Sequence, residues 1–79
     1  MAVQVLFFGA TAAIVGTRSI EIDIGSETTA AVVLKDILKR FPAMSSHKLN
    51  ISINQQYASG NEIIRDGDEL AIFTSVSGG

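Results

Sequence analysis

The sequence predicts an α+β domain in which a mixed sheet of about five strands packs on one main helix. Residues 28–41 alone repeat their apolar side chains at helical spacing. Runs that alternate apolar with polar residues lie on both sides of that segment. The chain has 79 residues, 47% of them hydrophobic and 18% charged, which suits one small core and leaves no room for a second.

The first strand is read at residues 3–8. Val3, Val5 and Phe7 alternate with Gln4, Leu6 and Phe8, and the polar Gln4 sends the Val3/Val5/Phe7 face inward. Leu6 and Phe8 then fall on the outer face, and Gly9 ends the strand. Residues 11–15 are long enough for one helical turn, closed by Gly16. Residues 19–24 (SIEIDI) give the cleanest alternation, with Ile20, Ile22 and Ile24 on one side and Ser19, Glu21 and Asp23 on the other. A hairpin with a longer loop joins these two strands.

In the helix, Ala30, Val33, Leu34, Ile37, Leu38 and Phe41 form the apolar stripe. Thr28 or Thr29 caps its start, Lys39 and Arg40 complement the dipole at its end, and Pro42 stops it. Residues 43–48 read as a polar loop. Leu49, Ile51 and Ile53 form a third strand, and Tyr57 begins a very short fourth after a turn at residues 54–56. Ile63 and Ile64 are both assigned to the core. Asp66-Gly67-Asp68 is a tight turn in which Gly67 supplies a positive φ. Residues 69–74 (ELAIFT) form the last strand, with Leu70 and Ile72 inward and Glu69, Ala71 and Phe73 outward. Residues 1–74 are thus one domain, and residues 75–79 (SVSGG) are expected to be a flexible tail. Strand, strand, helix, strand, short strand, strand is the order of a β-grasp roll. The ferredoxin-like alternative needs a second full helix, and the stretch after Leu49 has no room for one.

Composition excludes several function classes. A net charge of −2 argues against a nucleic-acid partner. There is no Cys, hence no disulfide, thiolate nucleophile or Cys-based metal site. No uncharged apolar run approaches the roughly 20 residues of a membrane span. Residues 5–16 (VLFFGATAAIVG) have the look of a signal-peptide core, but the first basic residue is Arg18, which lies after them. A cytoplasmic location without membrane contact is the expectation. His47 stands alone in a polar loop, and Asp66, Asp68 and Glu69 read as turn chemistry rather than a cation site. The glycines do not form a phosphate-binding pattern, so no cofactor or metal is expected on this chain.

The C-terminus remains. Gly78 and Gly79 follow the spacer Ser75-Val76-Ser77. Chance or an artificial addition is the bland explanation. The physical one is that two residues without Cβ atoms thread a narrow channel with their backbone extended. Five residues after Thr74 reach at most about 17 Å. The Gly79 carboxylate can therefore enter another protein's active site while the globular body docks outside. A carboxylate is a poor electrophile and needs a leaving group, most simply AMP from ATP, which a partner enzyme must supply. Leu6, Phe8 and Phe73, with Tyr57 beside them, fall outside by strand parity and form a candidate docking patch if the first and last strands are neighbours. The alternative is that a loop or the short fourth strand covers them.

Phe7-Phe8-Gly9, the helix ending Phe41-Pro42, Asn54-Gln55, and the run from Asp66 through Phe73 to Val76-Ser77-Gly78-Gly79 resemble the small subunit of molybdopterin synthase. The similarity spans almost the whole chain and is most specific from Asp66 onward. It implies a ubiquitin-like β-grasp sulfur carrier. An E1-like adenylyltransferase would adenylate Gly79 with ATP, and a sulfur donor protein would convert it to a thiocarboxylate. The tail would then enter the large subunit, within a heterotetramer, and its sulfur would attack cyclic pyranopterin monophosphate in molybdenum cofactor biosynthesis. Phe8, Tyr57 and Phe73 match the family's partner-binding face, and Val76, Ser77 and Gly78 its inserted tail.

Family tails commonly carry Pro-Pro where this chain has Thr74-Ser75. Prolines would stiffen the start of the tail and prevent extra strand pairing, so a looser tail is expected here. A carrier for another thiolation pathway, a ubiquitin-like protein modifier joined to lysines through Gly79, and a non-covalent interaction module are the alternatives.

Overall fold

Alternation in the first strand sets the direction of the core. The computed structural model describes residues 1–74. In it Val3, Val5 and Phe7 of β1 (Ala2–Phe7) are sealed from solvent, while Gln4 and Phe8 are exposed and Leu6 is half-buried. A short helix α1 (Ala10–Val15) follows, and β2 (Ser19–Asp23) returns antiparallel, pairing Val3 with Ile22 and Val5 with Ile20. β7 (Glu69–Thr74) lies on the other side of β1 and runs parallel to it, with Val5 opposite Leu70 and Phe7 opposite Ile72. β4 (Leu49–Ile53) pairs antiparallel with β7, and β5 (Gln56–Ala58) pairs with β4. The sheet order β2-β1-β7-β4-β5 is that of the β-grasp roll.

The main helix α2 (Ala30–Arg40) covers the inner face of this sheet. Ala30, Val33 and Ile37 are buried against β1 and β7 residues of the core, and Leu34, Leu38 and Phe41 pack around them. Phe41 meets the edge of the Phe7 ring at 6.2 Å. Thr29 is the N-cap, its hydroxyl accepting from the Val32 amide at 3.4 Å. The helix is shorter than the predicted 28–41 because Thr28 and Thr29 form a two-residue strand, β3 (Thr28–Thr29), paired with β6 (Ile63–Ile64). That pairing continues into the helix: the Ala30 and Ala31 amides donate to the carbonyls of Glu62 and Gly60, both at 2.9 Å. Two of the helix's free first-turn donors are thereby satisfied from outside it. Gly60 takes φ +113°, and a Cβ there would sit 3.4 Å from that of Ala31.

Three expectations are corrected. Ile63 is 46% exposed while Ile64 is fully buried, since neighbouring residues of a strand point to opposite faces. The polar loop at 43–48 is instead a 3₁₀ helix (Pro42–Ser46) that drives Met44 into the core at zero exposure. Proline fixes its first φ, and the unbranched thioether fills the gap below the end of α2. Ala71 is on the outer face as predicted but is buried, because it lies mid-strand between Leu6 and Ser52, its register partners on β1 and β4.

Loops are held by carboxylates. Glu62 accepts from the Ser59 and Gly60 amides at 2.9 and 2.8 Å, and Asp68 from the Arg65 amide at 2.8 Å. These backbone donors stabilise the ionised forms and hold both carboxyls below their ordinary pKa. The unfolded chain therefore binds more protons in acid than the folded one. Stability should be level from neutral pH to about pH 5 and fall below about pH 4 as these groups protonate. Glu62→Gln should unfold at lower denaturant at pH 7 and show a flatter acid limb in urea titrations across pH. Ile22, 4% exposed on β2, faces the core, so Ile22→Ala should cost about 2–5 kcal/mol in the same assay.

Candidate functional site

The site begins where β1 and β7 finish side by side. Parallel pairing brings Phe8 to the level of Phe73, and the Phe8 amide donates to the Ile72 carbonyl at 3.1 Å. Phe8, Gly9, Phe73 and Thr74 line one shallow recess. Leu6, Phe8, Gly9, Ala12, Arg18 and Ser19 border a second one beside it. On the far side of Phe73, the Tyr57 ring lies 5.9 Å away, tilted by 57°. Leu6, Phe8, Phe73 and Tyr57 thus form a continuous apolar strip across four strands' width of the outer face. Phe8 is 51% and Tyr57 83% exposed.

Of the predicted surface residues, Leu6 and Phe73 are half-buried, Phe73 because β5 places Tyr57 over it. The exposed-patch expectation and its alternative, cover by the short strand, are each met in part. Tyr57 shields Phe73 and is itself left open.

Two residues outside the predicted patch shape this site. Gly9 adopts φ 62°, ψ −131°, a region essentially closed to residues with a Cβ, and lets the chain turn sharply after Phe8. Thr11 is fully buried. Its hydroxyl accepts from the Phe8 amide at 3.0 Å and lies 2.7 Å from the Phe8 carbonyl and 2.9 Å from that of Ile72, to which it donates. One side chain therefore ties α1, the end of β1 and the end of β7 together. Thr11 is not singled out by the sequence patterns; a lone hydroxyl inside an apolar stretch is the one signal that could have marked it.

The acidic cluster is structural. Asp66 accepts from the Ala2 amide at 2.7 Å, and Asp68 takes Arg65 and, at 3.1 Å, the Asn54 side-chain amide. The turn lies at the end of the sheet remote from the strip, and Gly67 has φ 84°. His47 is exposed beside the 3₁₀ helix, away from any of these carboxylates. Val76, Ser77, Gly78 and Gly79 lie outside the described residues, as does the whole tail 75–79. Thr74, where the family pattern has proline, belongs to β7 and stands opposite Leu49. No helix among the described residues is long and apolar enough to cross a membrane.

Comparison with known proteins gives one family. The ThiS family matches residues 5–79. The human molybdopterin synthase sulfur carrier subunit is 32% identical, covering 98% of this chain and 93% of its own. Small archaeal modifier protein 1 of Haloferax volcanii is 29% identical over 91% of this chain and 94% of its own. The crystal structure of SAMP1 from that organism superposes with a TM-score of 0.86 at 27% identity, covering both chains fully. The same fold occurs, at a TM-score of 0.71, 23% identity and full coverage of both chains, in the complex of subunits 1 and 2 of the molybdopterin-converting factor from Helicobacter pylori.

Because the Phe73 ring lies outside the core, Phe73→Ala should lower stability by less than Ile22→Ala in urea unfolding. Tyr57→Ala should cost about 0.5–1.5 kcal/mol, the worth of its ring pair with Phe73. A Phe73→Ala loss equal to that of Ile22→Ala would place the ring in the core.

Proposed function

This chain belongs to the ThiS family, and on that premise we propose that it is the sulfur-carrier small subunit of a molybdopterin synthase. The observation that supports this best is positional. The apolar strip of Phe8, Phe73 and Tyr57 lies where β7 hands the chain on toward Gly78-Gly79. A docking face and a reactive terminus are thus adjacent, while the inner face is consumed by the core.

In this reading an E1-like adenylyltransferase binds the strip and holds ATP. The Gly79 carboxylate attacks the α-phosphorus and pyrophosphate leaves. The mixed anhydride makes Gly79 an electrophile, and sulfur from a donor protein displaces AMP to give the thiocarboxylate. The body then docks on the large subunit of a heterotetramer, and the tail carries the sulfur to cyclic pyranopterin monophosphate. Val76 and Ser77 pass through the partner's channel, and Gly78 fits its narrowest part. This chain contributes no catalytic side chain and no cofactor, and it acts in the cytoplasm.

Resemblance to the Haloferax modifier supports a second reading, in which the activated Gly79 forms an isopeptide with a lysine of another protein. The two share adenylation and differ in product.

Intact-mass analysis after incubation with ATP, a sulfur source and an E1-like enzyme separates them. Exchange of oxygen for sulfur adds about 16 Da, as does oxidation of Met1 or Met44, so a thiol-selective alkylation must accompany it. In a chain without Cys, an alkylated C-terminal adduct is the expected result. Deleting Gly79 should abolish it and leave the circular dichroism spectrum unchanged. Transfer at an undiminished rate without Gly79 would overturn the tail mechanism, and an isopeptide product would favour the modifier.

A further inference from the structure

The net charge of −2 conceals how the charges are arranged. β1 and β7 finish together, at Phe7 and Thr74. β2 and β4 run against them and so begin at that same end, with Ser19 opposite Leu6 and Leu49 opposite Thr74. α2 also ends there, since Phe41 packs on Phe7. The residues beside these positions, Arg18, Lys39, Arg40 and Lys48, are all exposed, and they are four of the six Lys and Arg. Arg40 pairs with Asp36, one helical turn back at 3.1 Å, and borders a recess that also holds Asp23 and Glu27, so among the described residues Arg18 and Lys48 stand clear of carboxylates at this end.

Carboxylates gather at the other end. β2 closes with Asp23, β7 opens with Glu69, and the turn before it carries Asp66 and Asp68. Glu27 pairs there with Arg65 at 3.0 Å, and the N-terminal amine with Asp23 at 3.1 Å. The molecule is an electric dipole whose positive end is the end where residue 75 follows Thr74.

We propose that Arg18 and Lys48 form a basic collar on either side of the tail's root, and that it docks on a partner protein whose surface is acidic around its active-site mouth. This rests on the carrier reading given above. Arg18 borders the same recess as Leu6 and Phe8, and Lys48 precedes Leu49, the register partner of Thr74. The collar is therefore continuous with the apolar strip. Exposed side chains spread over the end of a sheet have no enclosed pocket for a small anion, whereas an extended acidic protein surface can meet all of them at once. The dipole also has a kinetic use. An acidic partner repels the chain's net charge at long range but turns its positive end forward as the two approach, which presents the tail first.

The test is stopped-flow association with the E1-like adenylyltransferase of the same genome, across an ionic-strength series. Wild-type association should slow steeply with salt. Arg18→Glu and Lys48→Glu should each slow it by about threefold or more at low salt and flatten the salt dependence, with adenylation at saturation unchanged. Lys35→Glu makes the same change in net charge on the middle of α2 and should leave the rate within about twofold. Thermal unfolding of each variant reports that it folds. Salt-independent association, or equal slowing by all three variants, overturns the collar while the carrier reading stands. A wild-type chain that neither binds nor is adenylated overturns both.

Discussion

Everything in this fold depends on pairing the first strand with the last. β1 and β7 are parallel and central, and the contact between them closes a loop of nearly the entire chain. Closing it costs entropy that local structure does not repay. The return comes only when Val3, Val5 and Phe7 meet Leu70 and Ile72 beneath Val33 and Ile37 of α2. The chain has no Cys to staple any part of it, so the central pair and the helix above it stand or fall together. The same pair aligns the ends of β1 and β7, and with them Phe8, Thr11 and Thr74.

The two faces of the sheet divide the work. The inner face is spent on stability, with strands and helix filling it completely. The outer face has a polar half, with Gln4 registered to Glu21 and Glu69, and an apolar half at the end where β7 finishes. Ala71 marks the border. Its small side chain fits between Leu6 and Ser52, so the centre of the outer face lies low and the rings of Phe8 and Tyr57 rise on either side. Thr11 fixes the geometry on one flank by hydrogen-bonding both strand ends. On the other flank, the β4–β5 turn at Asn54-Gln55 has positive φ at both residues and folds Tyr57 back over Phe73.

Much of this was legible in the sequence because period-2 and period-3.6 patterns are local. β1, β2, β4 and β7 could be read from alternation and α2 from helical spacing, whereas adjacency of β1 and β7 was expected only on condition that the chain formed the β-grasp sheet. The parts that were not legible depend on partners distant in the chain. The β3–β6 ladder has two residues per strand, too few for a pattern, and exists because Gly60 and Glu62 carbonyls meet the start of α2. Met44 sits among Pro, Ala and Ser, and nothing local marks it as core. Phe73 is outward by parity, yet its exposure is decided by Tyr57. For the candidate site, residue types were readable and their mutual cover was not.

Thr74 turns the absence of the family's proline pair into a geometric constraint. A proline has no amide hydrogen and discourages further pairing, which frees a chain early. Thr74 instead continues β7 opposite Leu49, so the looser start expected for the tail does not include this residue. The tail's reach is then counted from Thr74, and five residues span at most about 17 Å. In the proposed carrier reading, the active site that Gly79 serves would lie within that distance of the end of β7. On that reading a partner would have to bring its channel mouth directly against Phe8 and Phe73 before the terminus could arrive. The tail and the apolar strip beside its root would then work as one device, because the reach of the first would suffice only when the second is docked.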